Sequence, residues 1–384
     1  MTIDLPPEVR AMTEDTVYRT SSQYRLWSFS PESLAALRKK THELAVERIQ
    51  QQRMNDGEDS SASDGDDVGF LTLEEELLLV QRACETIRAS TDMLSWPAQV
   101  KATAVQYLRR FYLSNSPLTY PPKDIYKTCL YLANKTESLH VEVSDFAYQM
   151  GKSNPAEILA AEYKVMQALR FTLDVRQPNR GLKGIHVELQ NMAEGLPNSE
   201  TKDEMRMLVF PGVEARSEWR PPKTAEARHV RDRVDAAYAA ARELLDAPAL
   251  LTDVYFLYTP SQIAFAAMQI ADPTLISWFF TSRLPLQSPT RPTILATVRA
   301  CADMLADFSE GQLLSKEQRG KLEAQLEKCR DPSTRDMIKS HMAKKGGETV
   351  VNDEKAKKRK MEREAGTKEG ADVFGPGLTI GNGA

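Results

Sequence analysis

With 384 residues, 41% of them hydrophobic, the chain can build a core in each of two ordinary domains, which excludes a wholly disordered protein. Its net charge of −4 excludes the global basic field that nucleic-acid binding as a main role would need. Cys84, Cys129, Cys301 and Cys329 lie far apart with no C-x-x-C pair, so reduced thiols are expected rather than disulfides or a zinc site.

The first thirty residues carry proline and charge without an apolar leader, and no run of 18 apolar residues occurs, so neither secretion nor a membrane span is expected. Ser30-Pro31-Glu32 sets a cap residue before a proline at the first helical position. Leu34, Leu37, Thr41, Leu44 and Ile49 then recur at helical spacing, which predicts a long amphipathic helix after an N-terminal arm. Asn55 to Asp67 is acidic, rich in Gly and Ser and almost free of apolar side chains, the composition of a flexible linker. Thr72-Leu73-Glu74-Glu75 is a capping box opening a helix that carries Leu77, Leu78, Val80, Cys84 and Ile87. Further starts follow at Pro97, Pro121-Pro122, Ser144 and Asn154-Pro155, the last helix running to Phe171. With short loops and no sustained period-two pattern, these five helices predict an all-α domain.

The second half reads similarly. Pro178 precedes Leu182, Ile185, Leu189 and Met192 at helical spacing, Ala225 to Leu245 is Ala-rich, and Pro260 and Pro292 open further helices. A Pro-rich stretch near 195–223 is expected to be a surface excursion. An ungapped repeat ties the halves together. YPPKDIYKTCLYLAN from Tyr120 aligns with YTPSQIAFAAMQIAD from Tyr258 at an offset of 138 residues, pairing Pro122 with Pro260 and Ile125 with Ile263.

Catalytic patterns are missing. Gly151-Lys152-Ser153 imitates the end of a phosphate-binding loop, but the position that needs the upstream glycine is Phe146. His42, His140, His186, His229 and His341 are scattered, with no H-E-x-x-H frame, and neither a G-x-S-x-G elbow nor a kinase catalytic loop occurs. No enzyme, cofactor or metal is expected, which leaves partner binding.

Three stretches resemble the cyclin H family: SSQYRLWSFSPESLAALR from Ser21, VQYLRRFYLSNSPLTYPPKDIYKTCLYLANKTE from Val105, and DVYFLYTPSQIA from Asp253. The R-x-W-x-F opening and the DVYFLY stretch are specific to that family among cyclins. The resemblance covers Ser21 to about Cys329, apart from the linker and the insertion. It implies an all-α fold of two tandem five-helix cyclin boxes with flanking helices. The expected division is 1–54 for the N-terminal arm and helix, 55–69 for the acidic linker and 70–174 for the first box. The second box, with its insertion near 195–223, takes 175–312, a C-terminal helix takes 313–330, and a disordered basic tail takes 331–384. The N- and C-terminal helices are expected to pack together against the first box.

The resemblance also implies kinase-binding residues. The family's lysine falls on Lys135 in LANK and its glutamate on Glu162 in AAEYKVMQALRFTL, with Phe171 and Leu173 at further contact positions. Of the acidic pair that commonly follows the lysine, Glu137 remains. Where cell-cycle cyclins carry M-R-A-I-L, this chain reads EEELLLV, so docking of R-x-L substrates there is not expected. The implied partners are a cyclin-dependent kinase of the TFIIH module, a RING-type assembly factor of that module, and the TFIIH core indirectly. A nuclear location agrees with the basic cluster at Lys355 and Lys357-Lys358-Arg359-Lys360. The competing reading is an adapter resembling TFIIB or the retinoblastoma protein, which would bind DNA or peptides. The lack of a broadly basic box speaks against its DNA-binding form.

Overall fold

The computed structural model describes residues 14–55, 69–196, 203–205, 207–208, 223–309, 311 and 313–335. All of the acidic linker but its two end residues, most of the Pro-rich insertion and nearly all of the basic tail lie outside the described residues. Every regular element among those described is helical.

Helices begin where side chains can satisfy the free backbone N–H groups of a first turn. Two short helices, α1 (Glu14–Thr20) and α2 (Ser22–Trp27), stand where the sequence suggested only an arm, and they precede the long α3 (Pro31–Asn55). α4 (Leu73–Met93) opens on the expected box: Thr72 N donates to Glu75 Oε2 (2.8 Å) and Glu75 N donates to Thr72 Oγ1 (3.3 Å). α5 (Ala98–Phe111) is the axial helix of the first box, and every residue from Val100 to Phe111 is buried. Around it lie α6 (Pro122–Thr136), α7 (Val143–Gln149), α8 (Pro155–Ala160) and α9 (Glu162–Ala168). The single helix expected to reach Phe171 is therefore two, with a break at Ala161 and an end at Ala168.

The second box contains α10 (Pro178–Ala193), α11 (Lys223–Asp246), α12 (Pro248–Leu251), α13 (Val254–Leu257), α14 (Pro260–Ala271), α15 (Pro273–Arg283) and α16 (Arg291–Ala306). The repeat is structural, because α6 and α14 begin at Pro122 and Pro260, the aligned prolines. α15 was not anticipated, although its signal was present: Asp272 accepts from Leu275 N (3.0 Å) and Pro273 occupies the first helical position. In LISWFF only Ser277 interrupts the apolar run, so the buried stripe of Leu275, Ile276, Phe279 and Phe280 is poorly set off in so short a segment. The described part of the insertion is not a pure surface excursion. Met205 is buried in the second box, and Leu208 O accepts from Arg233 Nη1 (2.7 Å).

Buried apolar residues from Val80 to Leu305 form one continuous core through both boxes. Two smaller clusters attach the flanking helices. Ile49 of α3, Leu79 of α4, and Leu326 and Cys329 of α17 (Lys316–Cys329) pack together with Leu71 and Leu118, so α3 and α17 meet on the first box. Trp27, Leu34, Leu113 and Phe256 form the other cluster, at the seam between the boxes.

Candidate functional site

Lys135 lies in the last turn of α6 and Glu162 in the first turn of α9. Each sits where its helix's backbone dipole favours its charge, cation at the C-terminus and anion at the N-terminus. The two ends converge, and Lys135 Nζ pairs with Glu162 Oε1. The lysine side chain is 39% exposed and the glutamate 17%, so the pair stays open to solvent along one side. The ammonium also lies 5.0 Å from the centre of the Tyr131 ring. An ion pair this accessible adds only about 0–1 kcal/mol to folding. Its charges remain available to a docking surface.

Tyr163, next to Glu162, is exposed and meets Phe171 edge-on at 6.3 Å between ring centres. Phe171 is 61% exposed, so it is not a core residue. Its backbone is left-handed, with φ of 54°, after Arg170 at 52°. Two consecutive left-handed residues with side chains are costly, about 1–2 kcal/mol each. They turn the chain sharply at the end of α9, where Phe171 N still reaches Met166 O (3.0 Å), and leave the ring outside. The Lys135–Glu162 pair and the Tyr163–Phe171 pair thus lie side by side along the chain at the start of α9, both partly exposed. Tyr163 was missed in the sequence, where an aromatic inside a helix carries no sign of exposure.

The other two candidates are engaged internally. Glu137 caps the end of α6 and accepts from Thr103 Oγ1 of α5 (2.6 Å). Leu173 is half-buried against the core, and its carbonyl accepts from the Tyr107 hydroxyl (2.6 Å).

Behind this face, the R-x-W-x-F stretch ties both boxes together. Trp27 Nε1 donates to Thr172 Oγ1 (3.0 Å), and the Arg110 guanidinium stacks on the Trp27 ring at 5.1 Å. Gln23 accepts from Arg110 Nη2 (3.1 Å) and Arg176 N (2.7 Å), and donates to Arg176 O (3.2 Å). Phe29 N donates to Phe256 O (2.8 Å), and the two rings meet edge-on. The two family-specific stretches therefore bind each other. Burial lowers the Arg110 guanidinium to about 10. Asp253 receives both Arg38 and Arg109; burial would raise its carboxyl, but these partners together hold it at about 2.

The flanking helices are fastened by polar groups as well. Glu76, 3% exposed, accepts from Ser116 Oγ (2.8 Å) and pairs with His42 Nδ1 of α3 (3.0 Å); burial raises its carboxyl despite these bonds. On the other side Arg48 of α3 reaches Asp331 Oδ2 (3.4 Å), beyond the end of α17, and Asp331 N donates to Leu118 O (2.9 Å). None of these partners was visible in the sequence.

The Cyclin, N-terminal domain family matches residues 84–174, and the Cyclin C-terminal domain family matches residues 177–306. The chain belongs to the cyclin family. This cyclin is 29% identical over 295 residues to Cyclin CCL1 of Saccharomyces cerevisiae, a match spanning 75% of this chain and 66% of the yeast protein. It is 28% identical over 286 residues to Cyclin mcs2 of Schizosaccharomyces pombe, spanning 74% and 78%. Among solved structures, the cyclin matches a chain of the CAK complex of Chaetomium thermophilum bound to ATP-γ-S, at a TM-score of 0.71 and 33% identity, covering 87% of this chain and 95% of that one. It also matches a chain of the yeast TFIIK (Kin28/Ccl1/Tfb3) complex, at a TM-score of 0.55 and 26% identity, covering 75% and 100%. These likenesses make it a cyclin of the H type.

Proposed function

We propose that this cyclin binds and activates a cyclin-dependent kinase as the regulatory subunit of a TFIIH-type kinase module in the nucleus. The module supports phosphorylation of the C-terminal repeats of RNA polymerase II and activation of other cyclin-dependent kinases. The observation that carries the reading is the convergence of Lys135 and Glu162 beside the exposed rings of Tyr163 and Phe171, on a chain whose relatives include members of CAK and TFIIK complexes. A RING-type assembly factor is the third member of the proposed module.

The control is exerted without catalytic residues. A protein kinase aligns ATP only when its β3 lysine pairs with the glutamate of helix αC. A cyclin face that fits the inward αC, and not the outward one, shifts the population. Moving it from 1:99 to 99:1 takes about 5.5 kcal/mol of differential affinity. A contact of ordinary size, roughly 800 Å² per partner, can supply that. In this reading the Lys135 ammonium donates to carbonyls of the kinase while Glu162 holds it in place, and Phe171 inserts as an apolar anchor. Glu137 and Leu173 support the face from behind.

The test is kinase activity on a polymerase C-terminal-repeat peptide, with the TFIIH-type kinase alone, with this chain, and with Lys135→Glu plus Glu162→Lys. The doubly swapped chain retains the intrachain ion pair, so it is expected to fold yet fail to stimulate. Equal stimulation by both chains would remove the pair from the contact. No complex with either would point to a peptide- or DNA-binding adapter.

A further inference from the structure

The chain holds four Ser/Thr-Pro dipeptides: Ser30-Pro31, Ser116-Pro117, Thr259-Pro260 and Ser288-Pro289. A hydroxyl followed by proline suits a proline-directed kinase, because the ring brings no backbone N–H into the pocket behind the acceptor, and a basic residue three positions on adds charge matching. The fold separates the four. Ser116 is 2% exposed and donates to Glu76. Thr259 is locked in a reciprocal capping box with Gln262 at the start of α14. Ser30 exchanges hydrogen bonds with Ser33 at the start of α3, next to Phe29, which is bound to Phe256, and its third following residue is Ser33.

Ser288, half-buried where Ser30 is exposed, is set apart by its loop setting and by the basic residue three positions on. It lies in the loop between α15 and α16, near Leu286 at 75% exposure, and its hydroxyl meets Thr290 Oγ1 (2.9 Å). Single backbone hydrogen bonds shape the loop, from Ser288 N to Pro285 O (3.0 Å) and from Arg291 N to Ser288 O (3.2 Å), and extending it breaks these two together with the side-chain bonds of Arg291. The third residue after Ser288 is Arg291, whose guanidinium holds the loop closed through the carbonyls of Phe280 (3.2 Å) and Leu284. Lys135 and Glu162 stand on the other box, so this loop is separate from the proposed kinase-activating face.

We infer that Ser288 is a phosphorylation site for a proline-directed serine/threonine kinase, with Arg291 as the basic recognition residue. In the reaction the γ-phosphoryl group of ATP passes to Ser288 Oγ. A new P–O bond forms, the bond to the β-phosphate oxygen breaks and ADP leaves, while the hydroxyl proton goes to the kinase's catalytic carboxylate. The product places a dianion just ahead of α16, whose cap residue Thr290 makes no side-chain bond to the first turn, so the added charge stabilises the loop end of that helix.

The experiment incubates the full-length chain with ATP and a cell-cycle cyclin-dependent kinase carrying its own cyclin, and maps phosphate by mass spectrometry. Phosphate is expected on Ser288 ahead of Ser30, Ser116 and Thr259. Ser288→Ala abolishes that signal, and Arg291→Gln slows it about tenfold while Arg291→Lys retains it, the equivalent of ~1.4 kcal/mol. Circular dichroism confirms that each variant is folded. A chain left unmodified at Ser288 overturns the proposal in either of two ways. If a free peptide of residues 282–294 is modified, the fold withholds the site; if the peptide also stays unmodified, the motif is not recognised.

Discussion

Arg38 and Asp253, 215 residues apart, meet in a two-pronged ion pair, with Nη1 2.8 Å from Oδ2 and Nη2 2.7 Å from Oδ1. The pair joins the N-terminal helix α3 to the second box, and Arg109 of the first box shares the same carboxylate. Three parts of the molecule therefore close on one side chain.

Asp253→Asn is expected to cost about 3 kcal/mol at pH 7, because two arginines lose their counter-charge and Arg109 is 9% exposed. The folded carboxyl, at about 2, lies below the unfolded value of about 3.9, so its stabilisation is complete above pH 4 and disappears as pH falls towards 2. Urea unfolding of both chains at pH 7 and pH 3 checks this; the gap between them should narrow at the lower pH.

Glu76 is the opposite case. Burial raises its carboxyl, so the fold favours the neutral acid and loses stability as pH climbs past the unfolded glutamate value of about 4.3. Glu76→Gln keeps an acceptor for Ser116 and should leave stability at pH 7 unchanged or raised by up to about 1 kcal/mol. A drop of more than about 1 kcal/mol in the unfolding free energy would instead show that the contact with His42 outweighs the cost of burying the carboxylate.

Phe171→Gly separates folding from binding. Glycine adopts positive φ without strain, and the ring is largely exposed, so the variant should unfold at equal or higher denaturant, a gain of about 0.5–1 kcal/mol. If Phe171 anchors the kinase, affinity measured by calorimetry drops at least about tenfold in the same variant, a loss of ~1.4 kcal/mol. A core role would show the reverse pattern.

Ile49 is 0% exposed and Leu326 is 3% exposed, in one small cluster with Leu79. Either truncation to alanine should cost about 2–5 kcal/mol, and the double variant less than the sum, since the first cavity already loosens the second site. Strict additivity in a denaturation cycle would show that α3 and α17 attach to the first box independently.

Helix starts were legible because their causes are local. Thr72 with Glu75, Pro31 after Ser30, Asn154 before Pro155 and the prolines at 122 and 260 act within three or four residues of the N–H groups they serve. The repeat could be read for the same reason, since matching starts and apolar positions fold into matching helices. The break at Ala161 leaves no periodic mark, and α15 was hidden because its short, mostly apolar run barely sets its buried face off from the rest. Lys135 and Glu162 were picked out by resemblance to cyclins, while their contact rests on two helix ends that converge from 27 residues apart.

By itself the sequence determined the all-α class, the twofold repeat and the membership in a family, all carried by short-range patterns. Tertiary structure decided which exposed side chains share a face and what fills the seam between the boxes. Trp27 and Thr172, 145 residues apart, and Arg38 and Asp253 carry no sign of one another in the chain. A hydrogen bond or ion pair acts over a few ångströms of space, and only packing two boxes around one core, with a long helix seated on them through smaller clusters, brings such distant residues within that range.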